Sequence, residues 1–273
     1  PRLGPSVTSV VPRGPTVASP TMDSLTVSDG NDVVTLTGDP ERWLVELSLG
    51  DLGEPGEPTD ELGTAAERGR RMLEAATHAV VLEGGGRLEY WIERVDDQSD
   101  DVPTRAGFVP WRDLLRLRRE LPALPTNLAV RPYDDADAEA FLNVNNRAFD
   151  WHPEQGGMTL DELVAKQAEP WYDPEGFLVL EEDGAITGFC WTKIHVNESP
   201  ALGEIYAIAV DPEHHGRGLG RELTLAGLTH LAGRGLRHAI LYVESDNRPA
   251  RRMYRNLGFE VEFTNRAYQR FVR

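Results

Sequence analysis

Cysteine and lysine are scarce in this 273-residue chain, and positive charge is outnumbered. The single cysteine, Cys190, rules out a disulfide within the chain and any Cys-rich metal site, and no metal is expected. All but two of the 28 basic residues are arginine; the exceptions are Lys166 and Lys193. Acidic residues number 45, which gives a formal net charge of -17. A chain this acidic is repelled by nucleic-acid phosphates and by anionic lipid, so no nucleic acid and no membrane are expected as partners. An anionic cofactor is still compatible with it, because backbone amides can form a local anion nest inside a negative field. No apolar run approaches the roughly 20 residues that a membrane span needs. The stretch PRLGPSVTSVVPRGPTVASPT lacks the apolar core of a signal peptide, and residues 1–22 read as an unstructured leader. The expected setting is cytoplasmic and the expected state a monomer.

What is present suffices for two modest domains. The Pro-containing stretch at about 121–127 reads as the boundary between a domain over 23–122 and a second over 127–273. In the first half, VVTLTGD and RWLVELSL alternate as strands, an acidic Gly/Pro loop GDLGEPGEPTDELG follows, and ELGTAAERGRRMLEAA reads as a helix. HAVVLEG and GRLEYWIERV read as strands, QSDDVPTRAG as a loop and FVPWRDLLRLRREL as an amphipathic segment. The second half predicts the order strand, helix, helix, three strands, helix, strand, helix, strand. Its markers are a Thr159–Glu162 capping box, a hairpin turn at Asp183-Gly184 and an Asp246 or Asn247 cap before RPARRMYRNLG. Together these predict an α/β fold with a mixed sheet flanked by helices.

The most informative segment is VDPEHHGRGLGREL, residues 210–223. A buried strand ends at Asp211-Pro212, a glycine-rich turn follows, and a helix begins near Gly218. Free amides and the dipole at a helix start favour an anion, and glycines admit a diphosphate without Cβ clashes. Gly216, Gly218 and Gly220 are spaced G-x-G-x-G, which fits neither the dinucleotide fingerprint nor a P-loop. Arg217 and Arg221 can add charge. With a strand before it and a helix after, this segment resembles motif A of the GNAT acetyltransferases. Gly218 and Gly220 match that motif, and His215 stands where Gln or Arg is usual. The later ESDNRPARRMYRNLGF resembles another GNAT segment through Asn247, Ala250, Tyr254 and Gly258-Phe259. The resemblance implies acetyl-CoA as co-substrate. Ile208, Ala209 and Val210 would line its thioester arm, and His215, Gly216, Arg217, Gly218, Leu219, Gly220 and Arg221 its diphosphate. Asn247, Arg251 and Arg252 would sit at its adenosine-phosphate end.

NNRAFDWHPEQGGMT, WYDPEGF, GFCWTKIH, LGEIYAIAVDP and LYVESDN together resemble the mycothiol synthase family, tandem GNAT proteins that acetylate the cysteinyl amine of cysteinyl-glucosaminyl-inositol. The likeness is dense over the second half and faint over the first. The first half is therefore expected to be a shortened, degenerate GNAT copy without a cofactor site. The resemblance implies a small-molecule amine as acceptor, with Glu154, Lys193, Glu204 and Tyr242 binding it. It assigns Glu204 as the general base and Tyr254 as the acid for the departing thiolate. Period-two alternation places Glu204, Tyr206 and Ile208 on one strand face. Cys190 reads as a small core residue, not a nucleophile. Two other functions stay open: a GNAT enzyme for another small amine or a protein N-terminus, and a regulatory protein that binds acyl-CoA without turnover.

Overall fold

The structure, a computed structural model, describes residues 23–39, 41–50, 64–150 and 156–273. The expected leader, most of the acidic loop and the acceptor candidate Glu154 lie outside the described residues. Two compact units form. The described residues up to Asp113, together with Phe263–Arg273, make one; Leu114–Glu262 make the other.

The first unit opens with an antiparallel meander of β1 (Asp23–Asp29), β2 (Asp32–Asp39) and β3 (Arg42–Ser48). Helix α1 (Ala65–Leu82) then crosses to β4 (Gly86–Ile92), which runs parallel to β3. Alternation along β2 sends Val34 and Leu36 into a core shared with Trp43, Met72, Leu73, Leu88 and Phe108. Arg68 Nε donates to Asp32 Oδ2 at 2.8 Å, and this guanidinium holds the Asp32 carboxyl below its usual range. HAVVLEG is not a strand: α1 continues through it, because no breaker intervenes before the glycines at 84–86 and Val80 extends the buried face of Met72, Leu73 and Ala76. QSDDVPTRAG is not a loop either. A reciprocal Asp96–Ser99 capping box nucleates α2 (Asp97–Arg105) within it. FVPWRDLLRLRREL forms strand β5 (Val109–Glu120), and the division between the units falls inside it rather than at 121–127. The chain's last strand also departs from the expected division. In β11 (Glu260–Val272), residues 266–272 pair antiparallel with β4, and Tyr268 is fully buried in the first unit's core.

The second unit is a mixed sheet in the order β5-β10-β9-β8-β7-β6. It comprises β6 (Arg131–Pro132), α3 (Ala138–Ala148), α4 (Leu160–Gln167), β7 (Phe177–Glu182), β8 (Ala185–His195), β9 (Leu202–Val210), α5 (Leu219–Gly233), β10 (His238–Glu244) and α6 (Arg248–Asn256). β7 and β8 form a hairpin whose turn residues, Asp183 and Gly184, have φ of 53° and 78°. The Thr159–Glu162 capping box opens α4, and the Asn247 side chain caps α6. One sheet face carries α5 and α6 over Ile205, Ile208, Leu223, Leu241 and Tyr254. The other carries α3 and α4 over Phe177, Phe189, Trp191, Tyr206 and Ala209. Among the described residues no helix is long and apolar enough to cross a membrane, and no group of His, Cys, Asp and Glu is suited to a metal.

Helix α5 lies close against β8 and β9 because Gly227 has no side chain. A Cβ there would sit 2.5 Å from Cys190 Sγ and 2.8 Å from Ile205 Cδ1. In an open helix Gly→Ala gains about 1 kcal/mol. Here the overlap reverses the sign: Gly227→Ala should lower stability by about 1–3 kcal/mol in urea unfolding.

Candidate active site

The site is organised by β9. Its antiparallel register with β8 pairs Lys193 with Glu204 and Thr192 with Ile205, then slips so that Trp191 faces Ala207. Tyr206 is thus an extra residue in β9, a bulge that breaks the period-two alternation. Glu204 and Tyr206 do share a face, but Ile208 packs in the opposite core, which corrects the expectation that all three lie together. On its other side β9 pairs in parallel with β10, Gly203 with Ala239 and Glu204 with Ile240. Among the described residues that ladder ends there, while the strands go on to Val210 and Glu244.

On the α3/α4 side, Glu204 is 2% exposed. Its Oε2 lies 2.6 Å from Nε2 of His195, and its Oε1 has no hydrogen-bond partner among the described residues. Lys193, opposite Glu204, places Nζ 4.8 Å from the centre of the Trp171 ring and 5.6 Å from that of Tyr206. Lys166 of α4 donates from Nζ to the Tyr206 hydroxyl at 2.9 Å. Burial, then the Glu204 and Glu169 charges, raise the Tyr206 phenol well above its ordinary value. Both of the chain's lysines therefore converge on Tyr206. In β10, Ala239, Leu241 and Val243 face the α5 core, so Tyr242 falls on the Glu204 side. The sheet thus brings Glu204, Lys193 and Tyr242 to one face. Sequence reasoning missed His195, Lys166 and Trp171 as neighbours of the site. The rarity of lysine was the one signal that pointed toward Lys166.

On the α5/α6 side, Tyr254 is fully buried, edge-on to Phe259 at 5.7 Å, and its hydroxyl has no hydrogen-bond partner among the described residues. Burial, and then the neighbouring Cys190, push the phenol far up, so it stays protonated across the neutral range. Burial likewise pushes the Cys190 thiol up to about 12, which makes it inert as a nucleophile.

The glycine-rich turn sits between β9 and α5. The His215 Nε2–H donates to the Val210 carbonyl at 2.9 Å, which closes the turn from within. Gly216 and Gly218 both have φ of 79°, and a Cβ at either would point into open space. Leu219 and Gly220 begin α5, whose first amides point out of the helix end. These features fit a diphosphate. The arginines are engaged elsewhere: Arg217 forms two hydrogen bonds to Glu182, at 2.7 and 2.8 Å, and Arg221 pairs with Glu222. Ile208, Ala209 and Val210 are buried in β9 leading into the turn. Asn247 is committed to its cap, Arg251 Nη1 donates to the Ser245 carbonyl at 2.5 Å, and Arg252 is exposed.

Residues 140–259 match the model of the acetyltransferase (GNAT) family. The chain is 39% identical to the mycothiol acetyltransferase of Mycobacteroides abscessus, with 90% of this chain and 84% of that protein covered. It is 43% identical to that of Actinosynnema mirum, covering 82% and 74%. Among solved structures it is similar to a tandem GNAT protein from the clavulanic acid biosynthesis pathway, with a TM-score of 0.62, 17% identity, and 99% of this chain and 85% of that one covered.

Gly218→Ala tests the turn. Its positive φ makes alanine strained by about 1 kcal/mol, and the methyl occupies the open cradle. The expected outcome is a KM for acetyl-CoA raised several-fold, with kcat at saturation nearly unchanged.

Proposed function

Because the chain belongs to the mycothiol acetyltransferase family of GNAT enzymes, we propose that it transfers the acetyl group of acetyl-CoA to the cysteinyl amine of cysteinyl-glucosaminyl-inositol. The observation that carries this reading is a buried carboxylate, Glu204, with one oxygen unpartnered among the described residues, on the sheet face that also carries Lys193 and Tyr242. An amine reaches neutral water as an ammonium and must lose a proton before it can attack a carbonyl. Glu204 takes that proton at Oε1 and returns it to solvent; the neutral amine then forms the N–C bond as the C–S bond breaks, and the nitrogen's second proton also leaves to solvent. Lys193 and Tyr242 meet the hydroxyl-rich body of the acceptor on the same face. Glu154 is assigned to the same task by family likeness alone. The positive charges of Lys193 and Lys166 favour the neutral form of a nearby amine.

The thioester supplies an activated acetyl group and a good leaving thiolate. Backbone N–H groups of β9, where its ladder with β10 has ended, hold the charge that develops on the carbonyl oxygen. Among the described residues the β9–β10 ladder stops at Glu204–Ile240, and in this reading the thioester lies beyond that point, within reach of groups from both sheet faces. From the far face Tyr254 gives its hydroxyl proton to the thiolate, and it regains one from solvent after release of product. The amides around Gly216, Gly218 and Gly220 hold the diphosphate, and Asn247, Arg251 and Arg252 lie toward the adenosine-phosphate end.

Thiol release from acetyl-CoA tests the reading, with cysteinyl-glucosaminyl-inositol set beside glucosaminyl-inositol, free cysteine and a peptide amine. Selective turnover of the first is expected, and turnover of another amine alone would sink the acceptor assignment. Glu204→Gln should lower kcat by about 10²–10³-fold while acetyl-CoA still binds. Tyr254→Phe should lower kcat by about 10- to 100-fold without loss of thermal stability, because the deleted hydroxyl makes no hydrogen bond among the described residues. A stability loss matching the activity loss would instead make Tyr254 a packing residue.

A further inference from the structure

A carboxylate base is useful only if one oxygen is presented to the proton it must take. Glutamate has three side-chain torsions and two equivalent oxygens, so burial alone does not select one. At Glu204 the selection is made by a neighbour. His195, the last residue of β8, lies two positions after Lys193 and so on the same face as Glu204. Its Nε2 sits 2.6 Å from Oε2, a short contact of the kind a carboxylate acceptor favours. Lys193 is turned to the rings of Trp171 and Tyr206, and Lys166 to the Tyr206 hydroxyl. Among the described residues the imidazole is thus the group that holds the carboxylate. We propose that His195 is the positioning residue of the base: its Nε2–H donates to Oε2, fixes the carboxylate plane and leaves Oε1 as the proton-accepting atom.

The inference rests on the reading of Glu204 as base and adds a residue to it. Nothing is transferred through the imidazole. The proton moves from the acceptor ammonium to Oε1, the N–H bond breaks as the O–H bond forms, and the Nε2–H bond persists throughout. His195 is the suitable member for this role because its side chain is 25% exposed at a strand end, against 2% for Glu204. It can be changed with little effect on the core. A small misplacement of a reacting group costs up to about 10²-fold in rate, so the effect belongs in kcat.

The experiment compares His195→Ala and His195→Gln with the wild type and with Glu204→Gln, on whichever amine turns over. Glutamine keeps an N–H donor near the position of Nε2; alanine does not. His195→Ala should lose about 10- to 100-fold in kcat with KM for acetyl-CoA changed less than about 2-fold, and His195→Gln should recover most of it. A high-resolution crystal structure of His195→Ala should show the Glu204 carboxylate in more than one orientation. Wild-type kcat in His195→Ala, or a Glu204 carboxylate unmoved in that crystal, overturns the proposal. So does an equal kcat loss in both His195 variants. Full activity of Glu204→Gln would refute the base reading instead, and the crystal structure decides on the His195–Glu204 pair independently of turnover.

Discussion

One extra residue in β9 sets the terms for the rest of the second unit. With Tyr206 bulged, the strand turns Glu204 to the α3/α4 side and Ile208 to the α5/α6 side within four positions. A regular strand would have put both on one face. The parallel ladder with β10 ends at Glu204, so the point where alternation breaks is also close to the point where two neighbouring strands part. A sheet normally keeps the chemistry of its two faces separate. Here the irregularity lies where the β9–β10 ladder stops, and on the proposed reading it lets a base on one side and an acid on the other address the same bond.

The second constraint is electrostatic. On the proposed reading, a chain with 45 acidic residues holds a cofactor that is itself anionic. The arginines of the turn do not solve this by charge alone, since Glu182 and Glu222 already engage Arg217 and Arg221. What remains is the backbone: amides at a helix start, admitted to close range by two glycines with left-handed φ. Exposed ion pairs of this kind are worth little and exchange readily, so the arginines can still swing to a phosphate at small cost.

Much of the second unit is legible in the sequence because its boundaries are marked chemically. Asp183-Gly184, Asp211-Pro212, the Thr159 capping box and the Asn247 cap each fix an element to within a residue or two. The bulge at Tyr206 is not legible, because register depends on the partner strand and no local composition signals it. His195 is missed for the same reason. Its meaning comes from a carboxylate nine residues away across a turn. In the first unit, α1 outruns the strand-like look of HAVVL because valine propensity is weak against a continuing buried face. A two-residue cap at Asp96 and Ser99 outweighs the loop-like composition of α2.

The last strand carries a consequence for how the protein is made. Residues 266–272 complete the pairing of β4 in a unit whose other described strands and helices begin at residue 23. Until that segment emerges from the ribosome, the first unit has an open strand edge and lacks Tyr268 in its core. The second unit, Leu114–Glu262, holds all its own strands ten residues earlier. Vectorial synthesis therefore reverses the usual order: the half translated first is the half that finishes last.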